Sequence, residues 1–234
     1  NEPTAIAVVA NPTGTTCTAS NGSIVINANG GTGVLQYSIN NGVTYQAAST
    51  FNNIVSGNYN IVVQDANGCT ATAIANVVDA PGPVVAGVPV VDVTCNGGND
   101  GTIVVNANGG TAPLQYSNDN GITYQATNNF ANLIVGNYQV VVIDVNGCTS
   151  TSLANIIQPS AIVVNINTVA STCGNSDGSL SVAANGGTGA LQYSINNGLT
   201  WQPSVNFTLL IAGNYTVLVQ DANGCTTTMA TVVN

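Results

Sequence analysis

One pattern is written three times along this chain, and that periodicity constrains the fold more than any other feature. Gln36-Tyr37-Ser38 returns as Gln115-Tyr116-Ser117 and Gln192-Tyr193-Ser194. Gly57-Asn58-Tyr59 returns as Gly136-Asn137-Tyr138 and Gly213-Asn214-Tyr215, and Asp65-Ala66-Asn67-Gly68-Cys69 as Asp144-Val145-Asn146-Gly147-Cys148 and Asp221-Ala222-Asn223-Gly224-Cys225. The first cysteines, Cys17, Cys95 and Cys173, lie 78 residues apart, and three such periods make the 234 residues. The second copy carries one extra residue between Cys95 and Tyr116, assigned to the turn at Asn96–Gly101 because loops absorb insertions.

Within a copy the local signals are short strands between turns. In the first copy, 5–10, 23–28, 35–39, 51–54, 59–64 and 69–78 read as strands A, B, C, E, F and G, with a partner for strand C starting at 44–46. Asn40-Asn41-Gly42 is a hairpin signal, since Asn and Gly accept positive φ. Gly57-Asn58-Tyr59 reads as a tyrosine corner, the phenol tied to upstream backbone. About seven strands in under 80 residues, with no helical periodicity, predict an all-β chain. The architecture expected is a tandem array of three Ig-like β-sandwich domains, end to end, over residues 1–79, 80–158 and 159–234. The joins carry Pro81, Pro83, Pro89 and Pro159 rather than a Gly/Ser linker, which predicts a stiff rod of roughly 100 Å.

Composition removes whole classes of function. The chain has no Lys, Arg or His and nine acids, for a net charge of −9. Binding to nucleic acid needs cations to displace counterions, and side-chain recognition of phosphate or anionic lipid needs them too. Isopeptide cross-links need a lysine. No run of about 18 apolar residues is present to span a membrane. No charged-then-apolar leader opens the chain at Asn1, so a signal peptide is expected to be absent, removed or outside this segment. Six cysteines at repeated positions suit an oxidising, extracellular setting.

The ordered frame Cys…Asn-Gly-Ser-Ile…Gly-Gly-Thr-Gly…Leu-Gln-Tyr-Ser…Gly-Asn-Tyr…Asp-Ala-Asn-Gly-Cys-Thr resembles the SprB repeat family, three times over. Those repeats build very large surface adhesins of gliding bacteria. The resemblance implies type IX secretion, display at the outer membrane surface, and a filament moved by the gliding machinery over substratum or polysaccharide. It also implies neighbouring repeats of the same polypeptide as partners.

The candidate residues fall into three groups. The cysteines are expected to form disulfides, because Cys-x-x-Cys spacing and histidine are both lacking for zinc. Two schemes stay open: Cys17–Cys69, Cys95–Cys148 and Cys173–Cys225 within repeats, or Cys17–Cys148 and Cys95–Cys225 between them, leaving Cys69 and Cys173 for neighbours outside this segment. Parity favours the first. The poles of a sandwich favour the second, since Cys17 follows strand A at one end and Cys69 opens strand G at the other. Asp65, Asp144 and Asp221, in Asp-x-Asn-Gly turns, are weak calcium candidates, set against the ordinary bonding of such residues to their own backbone. No other cofactor is expected. Tyr45, Tyr124 and Trp201 occupy one equivalent position and offer a sugar-stacking row; the plainer reading is hydrophobic cover over the sheet edge. Catalysis, a glycosidase pair included, is not expected, because the best-repeated acid is the F–G turn aspartate and no cationic or imidazole helper accompanies it.

Overall fold

The computed structural model describes residues 4–234, and no helix occurs among them. The first repeat contains β1 (Ala7–Thr13), β2 (Thr15–Thr16), β3 (Gly22–Asn29), β4 (Gln36–Ser38), β5 (Thr50–Ile54), β6 (Gly57–Gln64), β7 (Thr70–Val77) and β8 (Asp79–Ala80). Two three-stranded antiparallel sheets result, β1-β3-β5 and β4-β6-β7. In the lettering above these are A-B-E and C-F-G, the strand partition of an Ig-like sandwich without strand D. Gln46 bridges Tyr37, so the chain after the hairpin starts a short partner to β4.

Alternation explains the sandwich. Along β3, Ile24 and Ile26 point inward while Val25 and Asn27 face out. Ile61 and Val63 of β6, and Ala75 and Val77 of β7, meet them from the other sheet, with Tyr37, Phe51 and Tyr59 closing the sides. Thr70, Thr72 and Ile74 take the outer face of β7. The tyrosine corner forms as the sequence predicts: the hydroxyls of Tyr59, Tyr138 and Tyr215 donate to the carbonyls of Val55, Ile134 and Ile211.

The third repeat reproduces the plan with β17 (Val163–Val169), β18 (Gly178–Asn185), β19 (Gln192–Ser194), β20 (Asn206–Leu210), β21 (Gly213–Gln220) and β22 (Thr226–Val233). Its sheets are β17-β18-β20 and β19-β21-β22, around Leu180, Val182, Val217, Val219 and Val233.

The second repeat comprises β9 (Pro83–Gly87), β10 (Val90–Val91), β11 (Gly101–Val104), β12 (Asn106–Gly109), β13 (Gln115–Ser117), β14 (Asn129–Leu133), β15 (Gly136–Ile143) and β16 (Thr149–Ile156). Strands A and B are each broken in two here. Gly87 weakens the strand and Pro89 lacks an N–H for the ladder, so the pairing slips between Asn106 and Ala107. Two compact units divide the chain. One holds the chain up to Val88 with Val105–Asn128 and Gln139–Ser152; the other holds Pro89–Val104, Asn129–Tyr138 and Leu153–Asn234.

Candidate functional site

Each F–G turn is organised by its aspartate. Asp65 Oδ1 accepts the N–H groups of Asn67 (3.0 Å) and Cys69 (2.9 Å), and Oδ2 accepts that of Thr32 (2.9 Å). Asp144 does the same with Thr111, Asn146 and Cys148, and Asp221 with Thr188, Asn223 and Cys225. All three side chains are buried. The Thr32 N–H, then those of Cys69 and Asn67, hold Asp65 below the usual carboxylate range against the opposing effect of burial. Asp144 is lowered in the same way, first by Thr111. For Asp221 burial is the largest single effect and pushes upward, yet the N–H groups of Thr188, Cys225 and Asn223 together outweigh it. Both oxygens of these weak calcium candidates therefore face backbone donors, and each aspartate pins the loop after strand B of its own copy to the F–G turn. No group of three or more His, Cys, Asp or Glu placed to hold a metal occurs among the described residues.

A second lock fixes the loop of the first cysteines. Asp100 accepts the Thr94 N–H at 3.0 Å, and Asp177 accepts both the N–H and the hydroxyl of Thr172. In the first copy Asn21 takes the same role with Thr16. An amide and a carboxylate both offer the needed oxygen, which explains why the copies differ there. The lock also places the extra residue of the second copy between Cys95 and Asp100.

These two loops meet at the joints between repeats. Past β7, Val78 accepts the N–H of Thr15, and β8 runs parallel to β2. The buried Thr15 hydroxyl donates to Asp79 Oδ1 at 2.6 Å, and Cys17 N–H donates to the Ala80 carbonyl. The linker then passes Gly82, where a Cβ would come within 2.7 Å of Cys148 Cβ. There Cys17 is bonded to Cys148. At the next joint Ile157 accepts the N–H of Val93, Gln158 Oε1 accepts that of Gly97, and the Asn96 amide donates to the Pro159 carbonyl. Cys95 is bonded to Cys225. Each disulfide lies within one compact unit.

The within-repeat scheme, Cys17–Cys69, Cys95–Cys148 and Cys173–Cys225, is thus not the pairing this chain adopts. Its partners sit in different loops: the first-cysteine loop follows strand A beside the outgoing linker, and that linker delivers the F–G turn of the next repeat. Cys69 and Cys173 remain as exposed free thiols. Sequence reading missed Thr15 with Asp79, and the Asn21, Asp100 and Asp177 lock; the signal available was an Asn or Asp directly before the glycine that starts strand B in every copy.

Tyr45, Tyr124 and Trp201 fold back over their hairpins. Gly42 has φ +80°, and a Cβ there would lie 2.9 Å from the Tyr45 hydroxyl; Gly121 stands in the same relation to Tyr124. Beneath them Ser38, Ser117 and Ser194 are buried, each accepting the N–H of the hairpin glycine at 2.9–3.0 Å. Asp119 takes the place of Asn40 and Asn196. The Thr123 hydroxyl, then the Thr123 N–H and the Ser117 hydroxyl, pull it down to about 2. Since the chain has no cationic side chain, N–H and O–H donors produce these shifts.

Among solved structures, the chain is similar to Sidekick-1 immunoglobulin domains 1-5, with 14% identity, 100% of this chain covered and TM-score 0.37. It is similar to the N-terminal eight Ig domains of Down Syndrome Cell Adhesion Molecule, with 10% identity, 95% covered and TM-score 0.40. It is also similar to the insect immune protein hemolin, with 12% identity, 98% covered and TM-score 0.31. The chain spans 59%, 36% and 76% of those three chains. No curated protein sequence gives a significant match. The family model of the SprB repeat matches residues 9–44, 87–123 and 165–200, which run in each copy from strand A through the first-cysteine loop to the hairpin. Three successive segments of the chain, one in each copy, thus match the SprB repeat.

Proposed function

We propose that this chain is a structural and adhesive segment of a large cell-surface adhesin, secreted to the outer membrane surface and serving attachment and gliding motility. The observation that carries the reading is the cystine at each joint between SprB repeats. Covalent joints between neighbouring domains transmit tension, and tension is what an adhesive filament bears. Oxidised cysteines suit an extracellular location. No step of chemistry is assigned to the chain. Its partners are the neighbouring repeats, the secretion and gliding machinery, and a substratum or surface polysaccharide. The test is immunogold labelling of intact source cells with antibody to this chain, paired with deletion of the three repeats. Surface label with lost attachment is expected; an antigen reached only after permeabilisation overturns the reading.

A second reading, a carbohydrate-binding module, draws on one observation. Beside Tyr45, Tyr124 and Trp201 the hairpin tips expose Val43, Ile122 and Leu199, each about four-fifths accessible (79%, 81% and 84%). Sugar faces stack on such surfaces. A glycan array separates the two: binding that disappears in Trp201→Ala supports the module, and a blank array removes it.

A further inference from the structure

The two free thiols occupy the two halves of a joint that the chain makes twice. Cys173 stands where Cys17 and Cys95 stand. Each follows a threonine whose N–H is held by Asn21, Asp100 or Asp177. Two residues before each, the N–H of Thr15, Val93 or Ser171 donates to the carbonyl of Val78, Ile157 or Asn234, at 2.9, 3.0 and 2.8 Å. Cys69 stands where Cys148 and Cys225 stand, its N–H given to Asp65 as theirs are given to Asp144 and Asp221.

The surface around Cys69 repeats the pattern as well. A cleft of about 310 Å³ there is lined by Thr4, Ile6, Gly31, Asp65 and Cys69. In the third repeat the matching cleft, about 420 Å³, is lined by Ser160, Ile162, Gly187, Asp221 and Cys225, and in addition by Cys95 and Asn96 of the repeat before it. The first repeat keeps the counterparts of those five residues and lacks the visiting pair.

We infer that Cys69 and Cys173 are complementary halves of the same staple, each taking a further repeat of this frame. Cys173 bonds the F–G-turn cysteine of a repeat that follows, and Cys69 bonds the first-loop cysteine of a repeat that precedes. The reaction joins two thiols as one disulfide. The two protons and two electrons released pass to an oxidised dithiol or glutathione disulfide, which is reduced to two thiols by way of a mixed disulfide. This inference does not depend on the adhesin reading, because it concerns only how repeats join.

A second copy of the chain is a ready probe, since it carries both halves. The full chain and the variants Cys69→Ser and Cys173→Ser are incubated with reduced and oxidised glutathione, then resolved without reductant and mapped by mass spectrometry. Circular dichroism melts check that the variants stay folded. The intact chain is expected to form a ladder of multimers joined by Cys69–Cys173. An equal mixture of the two variants is expected to stop at a dimer, exceeding the dimer of either alone by about tenfold, equivalent to about 1.4 kcal/mol of docking preference. Three outcomes overturn the inference: Cys69–Cys69 and Cys173–Cys173 links at random proportions, as much dimer from either variant alone as from the mixture, or no link at a glutathione ratio that preserves Cys17–Cys148 and Cys95–Cys225.

Discussion

At the scale of single residues, this chain replaces ion pairs with carboxylates that collect N–H and O–H donors. Asp65, Asp144, Asp221 and Asp119 are all more acidic in the folded chain than the ordinary 3.8. The stability each supplies is therefore complete above that value and drains away as pH falls toward the folded pKa, about 2 for Asp119. Urea midpoints are expected to be flat above about pH 5 and to fall between about pH 4 and pH 2, with Asp119→Asn shallower than the parent chain. Ser117→Ala leaves the N–H groups of Asp119 and Gly121 without their acceptor, an expected loss of about 1–3 kcal/mol in chemical denaturation. The turn character of Asp-x-Asn-Gly was legible locally. The engagement of its second oxygen was not, because the donors to Oδ2, Thr32, Thr111 and Thr188, lie 33 residues upstream.

At the scale of elements, hydrophobic alternation and turn residues carried most of the information. Strand B was legible from Ser23–Ala28 because Ile24 and Ile26 alternate with Val25 and Asn27, and the structure extends it by only one residue at each end. The divided strands of the second repeat were harder to read. Gly87 and Pro89 are visible in the sequence, but the slipped pairing depends on strand B giving way opposite them. The hairpin is the element where backbone and aromatic depend on each other most directly. Gly121→Ala puts a Cβ at φ +80° and against the Tyr124 hydroxyl, so a loss of about 1–2 kcal/mol is expected from backbone strain alone. In the core, Ile61→Ala removes a fully buried side chain between the two sheets, with an expected loss of about 2–5 kcal/mol. Thermal melts compared with the parent chain check both.

At the scale of the molecule, the cysteines show why sequence left two pairings open. Count and spacing are identical under both schemes; only the path of the linker past Thr15 and Val93 tells them apart. The bonds span 131 and 130 residues, and the chain-entropy account gives about 5 kcal/mol for closing a single loop of that size. Strong reductant is expected to lower the Tm, and an unchanged melt would refute a stabilising role. Pulled by its ends, the oxidised chain has a shortest covalent route through residues 1–17, back along 148 to 95, and out through 225–234, so it is expected to stop near roughly 280 Å, whereas the reduced chain extends to roughly 820 Å at about 3.5 Å per residue. Single-molecule force spectroscopy with and without reductant reads that difference. The two loops also overlap, between residues 95 and 148. Cutting the backbone once at any point between residues 17 and 225 consequently separates nothing, because one bond or the other always bridges the wound. A chain so linked survives any single cleavage over nearly its whole length without shedding what lies beyond the cut.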